Sequence, residues 1–144
     1  MKVRLDFVTN SSSSSYLIAY KDSNLFDEET LNKYPFLKFF SNIIDVIIDM
    51  DSGYETTAAR VYEKKEDYEE YLLECYGWRE TKTIEDLIKN DSYVRNRYEK
   101  AIEYLNKGYK IAEKDIGYDD ESLVKIIKAL TNNTDDFVLL EEDD

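Results

Sequence analysis

The chain has 144 residues, of which 42% are hydrophobic and 14% aromatic, a composition typical of one globular domain with its own hydrophobic core. Its net charge of −13 disfavours nonspecific binding to nucleic acids and to anionic membranes, which carry charge of the same sign. The sequence contains no histidine, which excludes Ser-His-Asp and Cys-His catalysis and histidine-ligated metal centres.

The cysteine content and the N-terminal segment predict a cytoplasmic protein. Cys75 is the single cysteine, so an internal disulfide is excluded. No apolar run reaches the roughly 18 residues that a membrane-spanning helix needs. The segment MKVRLDFV also lacks the apolar stretch of a secretory signal.

The first elements in chain order are predicted to be a β-hairpin. Val3, Leu5 and Phe7 alternate with polar residues, which is the pattern of a half-buried strand. Residues 16–20 form a short apolar segment rich in residues that favour strands. We expect the two segments to pair across a serine-rich loop at 10–15.

Helices are predicted after the hairpin. Asp27 is expected to cap a helix that runs through Leu31, and Pro35 is placed to begin a second helix. The apolar spacing favours helix through about Asn42, followed by a buried strand over 45–49. Periodicity alone leaves open whether this last stretch is strand or helix.

Three helices are predicted in the middle of the chain, after a turn at 51–53 and a strand over 58–62. On the first of these helices, over residues 67–76, Cys75 is expected on the buried face. On the third, Arg95 and Arg97 are expected on a solvated face of mixed charge. Capping residues, glycines and apolar spacing set the three ranges: residues 67–76, residues 84–90 capped by Thr83, and residues 92–105 before Gly108.

The last third of the chain predicts a β-α-β unit. A strand over 109–112 is followed by a helix over 121–132, capped by Asp119 or Asp120, and by a strand over 137–140. With the hairpin, this unit predicts a small sheet covered by helices, in the α+β or mixed α/β class.

The chain ends in the acidic residues 141–144, directly after an apolar strand. We expect a solvated tail that keeps this edge strand from pairing with other molecules. The alternative is an acidic surface that meets a basic partner or imitates the phosphates of a nucleic acid.

The sharpest enzymatic pattern is VIIDMDSGY, over residues 46–54. Apolar residues that lead into Asp-x-Asp resemble the first motif of the haloacid-dehalogenase-like phosphatases. The resemblance implies that Asp49 is a nucleophile, that Asp51 is a general acid and base, and that Asp119 and Asp120 bind Mg²⁺. The alternative is that both acidic pairs serve turns and helix caps.

A run of polar residues precedes the apolar segment 16–20: Asn10, Ser11, Ser12, Ser13, Ser14 and Ser15. With Phe7-Val8-Thr9 before it, the run resembles an N-terminal signature, Phe-Val-Ser/Thr-Asn followed by serines, in proteins of unknown function from low-GC Gram-positive bacteria and their phages. Three interpretations are open: a flexible loop, an anion site with Lys2 or Arg4 nearby, and a recognition or modification tag.

Taken together, these features predict a small acidic, non-enzymatic interaction or regulatory protein of phage or mobile-element origin. It would bind an unidentified protein partner, without a cofactor, through the run 10–15 and through Trp78, the best candidate for an exposed aromatic anchor. The alternative is a Mg²⁺-dependent phosphoryl-transfer or phosphate-binding domain that uses the two acidic pairs 49/51 and 119/120.

Overall fold

The fold is mixed α+β, as predicted: a four-stranded antiparallel sheet packed with helices. The computed structural model describes residues 13–21, 27–35, 38, 42–53, 55–77 and 82–143. Within these ranges the strand order is β2-β3-β1-β4. The strands are β1 (Ser13–Tyr20), β2 (Arg60–Tyr62), β3 (Lys110–Gly117) and β4 (Phe137–Asp143).

Two helices begin at the capping residues that the sequence predicts. Asp27 accepts a hydrogen bond from the backbone of Thr30 at 2.7 Å, and Thr83 accepts one from Asp86 at 3.2 Å. The described residues contain six helices: α1 (Glu28–Lys33), α2 (Ile43–Asp49), α3 (Lys65–Tyr76), α4 (Ile84–Asn90), α5 (Ser92–Asn106) and α6 (Glu121–Asn133). None of the helices in these ranges combines the length and the apolarity needed to cross a membrane.

The predicted β-α-β unit is present, but another strand lies between its two strands. β1 pairs antiparallel with β3 on one side and with β4 on the other. β3 and β4 therefore run parallel to each other, and α6 connects them across the inserted β1. This arrangement makes β1 an inner strand rather than one arm of an N-terminal hairpin.

Helices cover both faces of the sheet, because successive side chains of a strand point to opposite faces. Tyr16 and Ile18 of β1 belong to a core shared with α2 and α6. Leu17 and Ala19 belong to a second core shared with α3, α4 and α5. The protein thus has a layer of helices on each side of its sheet, with a separate hydrophobic core in each interface.

The prediction of a serine-rich loop at 10–15 is wrong for Ser13, Ser14 and Ser15, which form the first part of β1. Backbone pairing to β3 and β4 outweighs the weak strand preference of serine. The acidic tail is also corrected, since residues 141–143 belong to β4 and pair with residues 15–17 of β1. Residues 3–7 and 10–12 and Asp144 lie outside the described residues.

Residues 43–49 form a helix, so the predicted strand over 45–49 is wrong. Ile44, Ile47 and Ile48 are buried, at the spacing of one helical face, whereas Val46 is 61% exposed. A strand would have placed Val46 on the same face as Ile44 and Ile48. Cys75 is another correction, because it is exposed at the last turn of α3 rather than buried.

A buried lysine of the sheet forms hydrogen bonds with the segment that follows α2. Lys114 of β3 is 1% exposed, and its Nζ donates hydrogen bonds of 2.7 Å to the carbonyl oxygens of Met50 and Thr57. Burial lowers the pKa of Lys114, while the nearby carboxylates of Asp51 and Asp49 act in the opposite direction. The cationic side chain therefore holds both ends of the segment 50–57 in place.

Replacing Lys114 by Met should lower the free energy of unfolding by about 2 kcal/mol, because two buried carbonyl groups lose their donor. Urea denaturation monitored by circular dichroism measures this change. Lys125→Met is the control, since the Lys125 side chain is 75% exposed and contacts Glu121 at 3.7 Å, and it should have little effect. Equal urea midpoints for Lys114→Met and the unmodified protein would show that Lys114 does not stabilise the segment 50–57.

Candidate functional site

An apolar concavity lies between α2 and α6. This α2–α6 groove has a volume of about 560 Å³. Its apolar walls come from both helices and from the residue that follows α2: Ile43, Val46, Ile47, Met50, Leu123 and Ile126. Val46 is 61% and Ile126 37% exposed, so the groove presents aliphatic surface to solvent.

Acidic residues surround the groove. Asp119 and Asp120 line it at the start of α6. On the α2 side it continues into an open depression lined by Asp45, Asp49 and Asp51. The groove therefore combines an apolar floor with a negatively charged rim.

The carboxylates predicted as a phosphatase site lie in adjoining parts of the structure, at the end of α2 with its following turn and at the start of α6, and Asp49, Asp51 and Asp120 all act on the charge of Lys114. Asp49 is the last residue of a helix, whereas the sequence predicts a strand over 45–49. Asp51 Oδ1 accepts a hydrogen bond of 2.8 Å from the backbone of Gly53, within a turn that requires the positive φ of +105° at this glycine. Among the residues that the structure describes, no group of three or more Cys, Asp or Glu side chains is arranged to hold a metal ion.

Asp120 joins the turn after α2 to the start of α6. Its Oδ2 accepts hydrogen bonds from the hydroxyls of Ser52, at 3.3 Å, and of Thr56. Thr56 is fully buried, and its hydroxyl oxygen also accepts a hydrogen bond of 2.8 Å from the backbone of Gly117 at the end of β3. Asp120 occupies the N-cap position of α6 without a side-chain capping bond, so its carboxylate stabilises the turn instead.

A second concavity, the polar pocket, lies on the opposite face of the sheet. It has a volume of about 300 Å³. Its polar lining includes side chains from β1, β2, α3 and β3: Ser15, Arg60, Tyr71, Tyr76, Glu113 and Asp115. Glu113 and Asp115 reach this face because they alternate along β3 with Lys114, which points to the other face.

Glu113, which lines the polar pocket, belongs to a buried ion pair. Glu113 is 7% and Arg97 2% exposed, and Arg97 Nη2 lies 3.3 Å from Glu113 Oε1. The hydroxyl of Tyr68 donates to Glu113 Oε1 at 3.3 Å, and that of Tyr71 donates to Oε2 at 2.7 Å. These bonds stabilise the ionised carboxylate, while Nε and Nη1 of Arg97 are buried without a partner within the described structure.

The solvated face predicted for Arg97 is therefore wrong. Arg97 lies three residues after Val94 and four before Ala101, and both of these are fully buried on the inner face of α5. That spacing is the sequence signal that could have identified Arg97 as an inward-facing cation. A buried cation requires an anion, and Glu113 supplies it two positions after the buried Ile111.

Tyrosine rings pack around the ion pair. The ring centroids of Tyr62 and Tyr68 lie 5.3 Å apart, and those of Tyr62 and Tyr71 lie 5.2 Å apart. Burial, reinforced by the charge of Glu113, raises the pKa of Tyr62 to about 12. The same two causes raise the pKa of Tyr68 and Tyr71 well above the usual tyrosine range.

The predicted recognition residues are only partly within the described structure. Ser15 lines the polar pocket, whereas Ser14 is buried on the opposite face of the sheet. Ser13 starts β1 and pairs with Gly117. Trp78 and residues 10–12 lie outside the described residues.

Comparisons of the chain with protein-family models, with curated proteins and with solved structures found no significant match. The α2–α6 groove and the polar pocket are the features of the described residues on which a function can be based.

Replacing Arg97 by Met should lower the free energy of unfolding by about 3–5 kcal/mol, because Glu113 would remain buried without its cation. The double variant Arg97→Met, Glu113→Gln should recover part of this loss, since it removes both charges. Arg95→Met is the matched control on the same helix, where the side chain makes one hydrogen bond, to Ile88 O at 3.2 Å. Urea denaturation of the four proteins measures the loss and its partial recovery, and a double variant that is less stable than Arg97→Met would contradict the pairing of the two charges.

The tyrosine cluster should make the protein sensitive to alkali. The pKa of Tyr62 is raised from 10.0 to about 12 in the folded state, so the unfolded chain binds fewer protons above pH 10. The stabilisation is complete below pH 10 and is lost as the pH rises toward 12. Urea denaturation between pH 10 and pH 12 should show a steady fall in the free energy of unfolding, and Tyr62→Phe should make that fall shallower. If the free energy of unfolding depended on pH equally in Tyr62→Phe and in the unmodified protein, the raised pKa of Tyr62 would be contradicted.

Proposed function

We propose that this protein is a small, acidic, non-enzymatic interaction protein whose α2–α6 groove binds a basic, amphipathic helical segment of a partner protein. The supporting observation is the combination of exposed Val46 and Ile126 with an acidic rim. The exposed thiol of Cys75 is compatible with the reducing environment of the cytoplasm, where we place the protein.

The apolar part of the groove supports a helical occupant. Two helices form its walls, and its floor is aliphatic. An amphipathic helix can fill such a groove with apolar side chains spaced three and four residues apart. Covering Val46 and Ile126 would remove aliphatic surface from water, which is the main source of affinity in this mode of binding.

The charge of the rim supports a basic occupant. Asp45, Asp49, Asp119 and Asp120 lie on or beside the groove, in a chain whose net charge is −13. Lysine and arginine at the edges of the apolar stripe of a partner would meet these carboxylates, which speeds association and selects against acidic partners. The same field repels nucleic acids and anionic membranes.

The alternative of a Mg²⁺-dependent phosphoryl-transfer domain has less support. Asp49 is the last residue of a helix and not of the predicted strand, and the carboxylates of Asp51 and Asp120 accept hydrogen bonds within and across the turn 51–56. These bonds match the turn interpretation for Asp51 and Asp120.

Binding to the groove can be measured with synthetic peptides. Fluorescence anisotropy would compare a labelled helical peptide of Leu and Lys, with Leu at positions i, i+3, i+4 and i+7, with a scrambled peptide of the same composition. We expect the patterned peptide to bind more tightly, and its affinity to fall as salt screens the rim. Val46→Ser and Ile126→Ser should each weaken binding about tenfold or more, the cost of losing one apolar contact at an interface centre.

Val61→Ser is the control, because Val61 is also an exposed aliphatic residue but lies on β2, outside the groove. It should leave the affinity unchanged. Equal binding of the two peptides, or equal losses in the three variants, would indicate nonspecific attraction between charges and would contradict the proposal.

A further inference from the structure

The polar pocket has the features of a small-molecule site. Its volume of about 300 Å³ is at the lower end of the range for ligand pockets, which extends from about 300 to 1,000 Å³. Its position at the sheet, between β1, β2, β3 and α3, places polar side chains from four elements around one space. These side chains carry both signs of charge.

The cationic side of the pocket is held in place by aromatic and hydroxyl groups. The guanidinium of Arg60 lies 5.6 Å from the centre of the Tyr71 ring, and Nη1 donates to the Tyr71 hydroxyl at 3.4 Å. The same hydroxyl donates to Glu113 at 2.7 Å. Arg60 is exposed, so its remaining N–H groups can bind an anion that enters from solvent.

The anionic side of the pocket is the carboxylate of Asp115. Asp115 is exposed and lies on β3 two residues after Glu113, opposite Ser15 of β1. Glu113 is already neutralised by Arg97, whereas Asp115 forms no ion pair among the described residues. Within the described residues the charge of Asp115 acts on Arg60 without a direct ion pair, and its carboxylate lies beside Ser15 of the neighbouring strand.

This distribution of charge restricts the ligand. An inorganic phosphate would be attracted by Arg60 but repelled by Asp115 and Glu113. A simple cation would be attracted by these two carboxylates but repelled by Arg60. A molecule with a carboxylate and an ammonium group close together satisfies both sides. Cross-strand pairing places Arg60 opposite Glu113 and one step diagonally from Asp115, so the two charges flank a short gap.

We propose that the polar pocket binds a small zwitterion of the α-amino-acid type, with the ligand carboxylate on Arg60 and the ligand ammonium on Asp115. Tyr71 and Glu113 are positioning residues in this site, because they orient Arg60 through a hydrogen-bonded chain that ends at buried Arg97. This site is separate from the α2–α6 groove, and its existence does not depend on the proposed function.

The test is a thermal-shift and calorimetric comparison of the full chain with the free amino acids and with their blocked forms. At least one free amino acid should raise the unfolding midpoint by several degrees, because a ligand that binds the folded state stabilises it. Its methyl ester, which lacks the carboxylate charge, and its N-acetyl form, which lacks the ammonium charge, should each give no shift. Inorganic phosphate should also give none.

Variants then assign the two ends of the ligand. Arg60→Gln and Asp115→Asn should each weaken binding at least tenfold, and both positions are exposed, so neither change empties a core. Lys89→Gln and Glu99→Gln are the matched controls, since they remove one charge of the same sign at exposed helical positions and should bind as the unmodified protein does. The proposal would be overturned if no free amino acid binds or if the blocked forms bind equally well. Weaker binding in the two control variants would overturn it as well.

Discussion

The central constraint in this structure is a pair of neighbouring charged residues buried in an inner strand. Glu113 and Lys114 of β3 are 7% and 1% exposed, and strand geometry directs them to opposite faces of the sheet. A buried charge without partners costs several kcal/mol, so each face must supply compensating groups. One face supplies Arg97 and tyrosine hydroxyls, and the other supplies two backbone carbonyls.

The positions of the groove and the pocket follow from how these two charges are satisfied. Lys114 fixes the segment 50–57, which in turn brings Ser52 and Thr56 to Asp120 at the rim of the α2–α6 groove. Glu113 fixes Tyr71, which holds Arg60 at the polar pocket. Adjacent residues of one strand thereby organise the α2–α6 groove on one side of the sheet and the polar pocket on the other.

Local signals predicted five of the six described helices, all except α2, and less of the sheet. Capping at Asp27 and Thr83 depends on hydrogen bonds within a few residues, so the sequence determines it directly. The central place of β1 depends on pairing with strands about a hundred residues away, which no local pattern contains. The sequence also identified the acidic residues of the α2–α6 groove as a group. Their arrangement around an apolar floor depends on contacts between distant segments, so the sequence did not predict it.

Two serines of the run, Ser14 and Ser15, have a physical explanation in their places within the sheet. Ser15 lies between Asp115 of β3 and Asp143 of β4, where a larger side chain would crowd two carboxylates and a third acid would add repulsion. A hydroxyl is small and can donate a hydrogen bond toward either neighbour. Ser14 is buried on the other face, opposite Ile116. Because a kinase or protease needs an extended, accessible substrate, strand pairing disfavours a modification tag at these two serines and favours a role for Ser15 in the polar pocket.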